Sequence, residues 1–129
     1  MDKAVSYLRL LFHFLTLLLI VLSLYPGSIL GLVIYGDDRL QPQITKDFLY
    51  ISSKHLYVYL FVSVIGFFSY LRDKKFKMVV IYLFFLSIIL EISHFVIYQR
   101  SFQIADLIGN ILGVFIACTV VLIYKYWIK

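Results

Sequence analysis

The sequence predicts an all-α membrane protein, a bundle of four transmembrane helices with both termini in the cytoplasm. Three observations predict it. Of the 129 residues, 63% are hydrophobic and only 15% charged, apolar runs long enough to cross a bilayer occur four times, and Lys and Arg collect on one side of those runs. An ordinary soluble domain is about half apolar and about a quarter charged, so a soluble globular fold is excluded. The 12 Phe and 11 Tyr exclude disorder, whose composition is aromatic-poor and charge-rich. At about 20 residues per crossing, the chain holds about four spans, short connections and little else. It reads as one transmembrane domain over residues 1–129, with spans at about 5–25, 50–71, 78–98 and 104–127.

The first span begins near Val5 and is stopped by Pro26 and Gly27, which continue a helix poorly. Arg9 at its start is expected to snorkel to the interface, and His13 to make a polar contact between helices. A basic amino end before an apolar run resembles a signal peptide. No small-x-small cleavage pattern precedes Pro26, so an uncleaved anchor is expected. The connection from Pro26 to Leu49 is polar in its second half and apolar from Ile29 to Tyr35, too short a stretch to cross a bilayer. It is expected to be an extended piece at the interface or a short re-entrant segment covering a cavity.

Span two ends in a tight basic turn of Arg72, Asp73, Lys74, Lys75, Phe76 and Lys77, and span three runs on from Met78. Gln99 to Gln103 connect it to span four, where Lys125, Tyr126 and Trp127 form an interfacial anchor. Threaded this way, Lys3, Arg9, Arg72, Lys74, Lys75, Lys77, Lys125 and Lys129 share one side, against Arg39, Lys46, Lys54 and Arg100 on the other. That imbalance puts both termini in the cytoplasm. The net charge of +5 is therefore read as topology, and nucleic acid is not an expected partner. Cys118, the single cysteine, lies in an apolar run and reads as a small buried hydrophobe.

Charges at membrane depth are costly and usually face the bundle interior. Glu91 lies seven residues before the end of the predicted third span, about 10 Å down the helix at 1.5 Å per residue. Helical spacing places His94 and Tyr98 on its face. On span four, Asp106 and Asn110 share a stripe with Gly113 and Ala117. Gly109, Gly113 and Ala117 form a small-xxx-small series of the kind that packs helices closely. Arg100 lies within reach of Glu91 and Asp106, and Lys54 and His55 open span two at the same level. Glu91, His94, Arg100, Asp106, Asn110 and His55 are thus the candidate polar site. The plainer expectation for the same residues is a network that holds the turn between spans three and four.

Glu91-x-x-His94 has the spacing of half a di-metal carboxylate motif, but no second Glu-x-x-His exists in the chain. No metal and no cofactor is therefore expected. General acid/base work by Glu91 with His94 or His55 is chemically open, although no Ser or Cys nucleophile stands beside either histidine in a recognisable pattern.

Glu91-x-x-His94 followed by Arg100, Asp106, Asn110 and Gly113 resembles the signature of the VanZ-like membrane proteins, Glu-x-x-Gln then Arg then Asp-x-x-x-Asn-x-x-Gly. His55 and Tyr59 are similar to that family's His-x-x-x-Tyr. The resemblance covers about the last 75 residues. His94 stands where Gln is usual, Ala117 where a second Gly is common, and Ile51 and Ser52 where Asp-Lys often precedes the His. The resemblance implies a multi-pass protein of the bacterial inner membrane, in a family named for low-level teicoplanin resistance and without an established reaction.

Three functions compete at this level. The first is a non-catalytic envelope protein whose outer polar site takes an amphiphilic or glycan-bearing ligand. The second is an enzyme acting on a lipid-linked substrate, with Glu91 as acid/base and Arg100 on an anionic headgroup. The third is an accessory subunit with a membrane protein partner.

Overall fold

The computed structural model describes residues 2–43, 45–97 and 100–128. Tyr98, expected on the face of Glu91, and Lys129, counted for topology, lie outside the described residues. Among the described residues five α-helices follow one another: α1 Lys3–Leu24, α2 Ile29–Tyr35, α3 Ser53–Ser69, α4 Phe76–Ile92 and α5 Ile104–Trp127. A single 3-10 turn, Ser93–Phe95, extends α4. No strand occurs among the described residues; Phe48 and Ile51 form one isolated antiparallel pair.

Among the described residues three helices are long and apolar enough to cross a membrane: α1, α4 with its 3-10 extension, and α5. Their outward faces carry Leu10, Phe14, Leu17, Ile81, Phe85, Phe115 and Val120, all exposed. Water tolerates so continuous an apolar surface poorly and lipid requires it, which marks the chain as a membrane protein. α3 is shorter, with 17 residues, about 25 Å at 1.5 Å per residue.

α3 begins at Ser53 rather than near Tyr50 because the Phe48/Ile51 pair closes a tight turn with Leu49 at φ 50°. Asp47 then accepts from the Ser53 N–H at 3.2 Å. That bond and one from Gln43 hold the Asp47 carboxyl below its usual range. α4 likewise stops at Ile92, where the Ser93 hydroxyl donates to the Leu90 carbonyl at 2.6 Å and the chain tightens into the 3-10 turn.

Packing follows the small residues. α3 makes its largest interface with α5 and is flanked by α1 and α4. A Cβ on Gly113 would lie 2.7 Å from the Leu56 carbonyl and 2.8 Å from the Leu60 nitrogen, and one on Gly109 would lie 2.7 Å from the Ser52 carbonyl. These two glycines let the backbones of α5 and α3 touch. Ala117 continues the stripe, fully buried. Gly66 on α3 takes the Phe12 ring of α1 in the same way. Cys118 is half-buried rather than buried, packed at the edge of the core.

Two ends of the assembly are polar. At the end holding the α3–α4 turn, Arg9, expected to snorkel to the interface, reaches the polar groups of that turn. It donates to the Ser69 carbonyl at 3.0 Å and to Asp73 at 2.7 Å, with its guanidinium 4.3 Å from the Tyr70 ring centroid. His13 meets the Tyr70 hydroxyl at 2.9 Å, a contact between α1 and the end of α3. The other polar end is the candidate site.

Candidate functional site

Three helix ends and one short helix build the site. His55 stands in the first turn of α3, Glu91 in the last turn of α4, His94 in the 3-10 turn, and Asp106 and Asn110 in the first two turns of α5. Glu91 is thus at the end of its helix, not two turns inside it, because α4 is shorter than the apolar run.

Hydrogen-bond accounting fixes the roles of both histidines. Asn110 Nδ2 donates to the Ser87 carbonyl at 3.1 Å, so Oδ1 is its free acceptor. His55 Nδ1 lies 2.9 Å from that oxygen and must donate to it. Its Nε2 is left facing Asp106 Oδ2 at 3.6 Å. His94 Nε2 lies 3.0 Å from the Ser23 carbonyl, which can only accept, and its Nδ1 faces Glu91 Oε2 at 3.3 Å. Each ring is anchored through one nitrogen to a carbonyl and turns the other toward a carboxylate.

Glu91 is 1% exposed. Its Oε1 accepts from the Gln103 N–H at 3.1 Å, while Oε2 has no hydrogen-bond partner. A buried carboxylate oxygen without a donor is costly, and here it lies beside the His94 ring.

Arg100 is placed differently from the expectation. It donates through Nη2 to the Leu22 carbonyl at 2.7 Å and through Nε to the Tyr25 carbonyl at 3.2 Å. Helix ends leave their last carbonyls unpaired, and Arg100 satisfies two of them at the end of α1. No ion pair joins Arg100 to Glu91 or Asp106 among the described residues. The single network expected of Glu91, Arg100, Asp106 and Asn110 is instead three local sets: Glu91 with His94 and Gln103, His55 with Asp106 and Asn110, and Arg100 with α1.

The connection from Ile29 to Tyr35, expected as either an extended interfacial piece or a short re-entrant segment over a cavity, is not extended but the two-turn helix α2. Ser28 caps it by accepting from the Gly31 N–H at 3.0 Å, and Gly36 ends it at φ 71°. Those two residues bracket the run as N-cap and C-terminal glycine signals do, so the signal was present in the sequence. A Cβ on Gly31 would overlap the Leu40 carbonyl, so only glycine lets the following loop fold back on α2.

α2 and that loop wall a cavity of about 310 Å³ against α1, α3 and α4. Leu19, Leu22, Ile29, Leu30, Val58 and Leu90 form its apolar part; Lys54, His55, Glu91, His94, Arg100 and Asn110 form its polar part. Lys54 is hydrogen-bonded to Gln41. Tyr59, buried in α3, also lines it. Five of the six predicted site residues therefore line one cavity, and Asp106 stands next to His55 outside the lining.

The sequence places His55, Glu91 and Asp106 in one polar site but does not announce them as a donor set. One ligand-type atom each from His55, Glu91 and Asp106 lies within 4.8 Å of the others. These residues sit on three helices, so no spacing along the chain could announce them. Comparison with protein-family models, with curated proteins and with solved structures finds no match to this chain.

Proposed function

We propose that this chain is a VanZ-like, multi-pass protein of the bacterial inner membrane that binds an amphiphilic, lipid- or glycan-bearing ligand without catalysing a reaction. The observation that carries the reading is the cavity of about 310 Å³, apolar along α1, α3 and α2 and polar at His55, Glu91, His94 and Arg100. Its volume falls at the lower end of small-ligand pockets, and its divided lining matches a molecule with an acyl part and a polar head. Four spans, with α3 as the enclosed one, fit within the 17 to 25 residues that a crossing takes. The basic turn at Arg72 to Lys77 favours cytoplasmic termini and hence an outward-facing site. The family assignment rests on the motif residues Glu91, Arg100, Asp106, Asn110 and Gly113.

Native mass spectrometry of the purified full chain, incubated with a bacterial lipid extract, tests the binding reading. Retention of a lipid by the wild type and its loss in Val58→Trp, which fills the cavity, is the expected result. Equal retention by both would remove the cavity from the argument. Labelling of introduced cysteines near Asp38 and near Lys75 by an impermeant reagent from the same side would overturn the topology.

A second reading is favoured by one contact, Glu91 Oε2 to His94 Nδ1 at 3.3 Å. A carboxyl group and an imidazole this close at a cavity wall are equipped for acid/base work on a lipid-linked substrate. Measured turnover would put this enzyme reading first.

A further inference from the structure

We propose that His55, Glu91 and Asp106 together bind one divalent transition-metal ion of the Zn²⁺ or Mn²⁺ class. The site goes beyond ligand binding in the cavity and does not depend on it.

The donor geometry is the first argument. A tetrahedral shell with bonds of about 2.1 Å separates its ligand atoms by about 3.4 Å. His55 Nε2 and Asp106 Oδ2 are 3.6 Å apart, too far for a hydrogen bond and close to that edge. With all three atoms within 4.8 Å of one another, the remaining contraction is about 1.4 Å at most, a side-chain movement.

Ring orientation is the second. His55 Nδ1 donates to Asn110 Oδ1, and Asn110 is itself fixed by its bond to the Ser87 carbonyl. A neutral imidazole held in this way turns the Nε2 lone pair toward Asp106, with a Glu91 oxygen within 4.8 Å of the pair. Metal-binding histidines are held through the opposite ring nitrogen in the same manner.

Charge is the third. Glu91 is 1% exposed with one oxygen unpartnered, and Asp106 is mostly covered. Neighbouring cations are engaged elsewhere, Arg100 on the Leu22 and Tyr25 carbonyls and Lys54 on Gln41. A neutral His with two carboxylates sums to two negative charges, which a divalent ion cancels at a depth where uncompensated carboxylates are costly. One imidazole with two carboxylates suits Zn²⁺ or Mn²⁺; Ca²⁺ and Mg²⁺ prefer oxygen alone, and Cu(I) prefers sulfur. Three protein ligands leave a further position for water or for a donor inside the cavity that His55 and Glu91 line. His94 remains outside the donor set, held on the Ser23 carbonyl with its Nδ1 3.3 Å from Glu91 Oε2.

The test uses the full chain purified in detergent, stripped with a chelator and titrated with Zn²⁺, Mn²⁺ or Co²⁺ alone. Elemental analysis should then find one Zn²⁺ or Mn²⁺ per chain, and the Co²⁺ form should show a nitrogen/oxygen ligand field without a thiolate charge-transfer band. His55→Ala and Asp106→Asn should each weaken binding by more than about 100-fold, beyond the loss typical of supporting residues, while His94→Gln should weaken it less than tenfold. Should His55→Ala fail to fold, Asp106→Asn and the wild-type Co²⁺ spectrum decide. Folded wild type that binds none of the three ions at millimolar concentration would overturn the proposal, as would binding unchanged in both ligand variants.

Discussion

At the end of the protein that carries the α3–α4 turn, Arg9, His13, Tyr70 and Asp73 bond to one another in one closed set. Arg9 is bonded to Asp73 and to the Ser69 carbonyl, its guanidinium covers the Tyr70 ring, and His13 completes the set through the Tyr70 hydroxyl. At the other end, an Arg, two His and two acids are again present, but they are not closed on themselves. Arg100 is engaged with α1, and the two carboxylates face histidine nitrogens at 3.3 and 3.6 Å without a hydrogen bond between them. The first set is what a structural network looks like at a membrane interface. The second keeps unused valences beside a cavity, at a cost a purely structural cluster has no reason to bear.

Gly113→Leu should break the comparison most severely, because it separates the helices on which the open site is built. Its Cβ would meet backbone atoms of Leu56 and Leu60 at under 3 Å, and backbone cannot move aside as a side chain can. A loss of about 3 kcal/mol or more is expected, read as failure to accumulate or as a lowered Tm in detergent. A variant that accumulates and melts like the wild type would mean that α3 and α5 do not approach there, and the His55–Asp106 pairing would lose its basis.

Removing each arginine sharpens the contrast. Arg100→Ala leaves two carbonyls of α1 without donors in a half-buried place and should cost about 2 kcal/mol. Arg9→Ala breaks a partly exposed ion pair, worth about 1 kcal/mol or less, and frees one carbonyl, that of Ser69, so its whole cost should also approach about 2 kcal/mol. Double-mutant cycles tell the partners apart. Glu91→Gln with Arg100→Gln should be nearly additive, since the two side chains do not touch, whereas Glu91→Gln with His94→Gln should show a coupling of at least about 0.5 kcal/mol. Coupling of the first pair and additivity of the second would restore the single network read from the sequence.

Most of the helical content was legible because hydropathy alone decides it in lipid: the long apolar runs became α1, α4 and α5. Helix ends were less legible. Apolar residues such as Leu49 and Tyr50 continue the pattern of span two, yet the Phe48/Ile51 turn puts them outside it. The run Ile29 to Tyr35 was judged by its length against the bilayer, when Ser28 and Gly36 were the relevant signals for a short helix. At the site, residues related by helical spacing, Glu91 with His94 and Asp106 with Asn110, were readable. Arg100 was assigned by charge to the nearest acids, but the unpaired carbonyls at the end of α1 are invisible in sequence and compete for the same donors. The approach of His55 to Glu91 and Asp106 follows from how α3, α4 and α5 cross, which no spacing in the chain encodes.

The smallest expected effect tests whether the closed end is governed by its ion pair. The backbone N–H of Lys75 and the Arg9 guanidinium hold the Asp73 carboxyl below its ordinary value of 3.8. A carboxyl depressed in the folded state contributes stability that is fully present above its unfolded pKa and is lost as pH falls through the lower, folded one. Thermal stability of the wild type should therefore decline slightly below about pH 4, and part of that decline should be missing in Asp73→Asn, which cannot titrate. Because Asp73 lies at the surface, salt should weaken its attraction to Arg9 while leaving the Lys75 backbone contact in place. An Asp73→Asn variant with the full wild-type acid decline would assign that decline to other carboxylates, and Glu91 and Asp106 at the open end would be the next to examine.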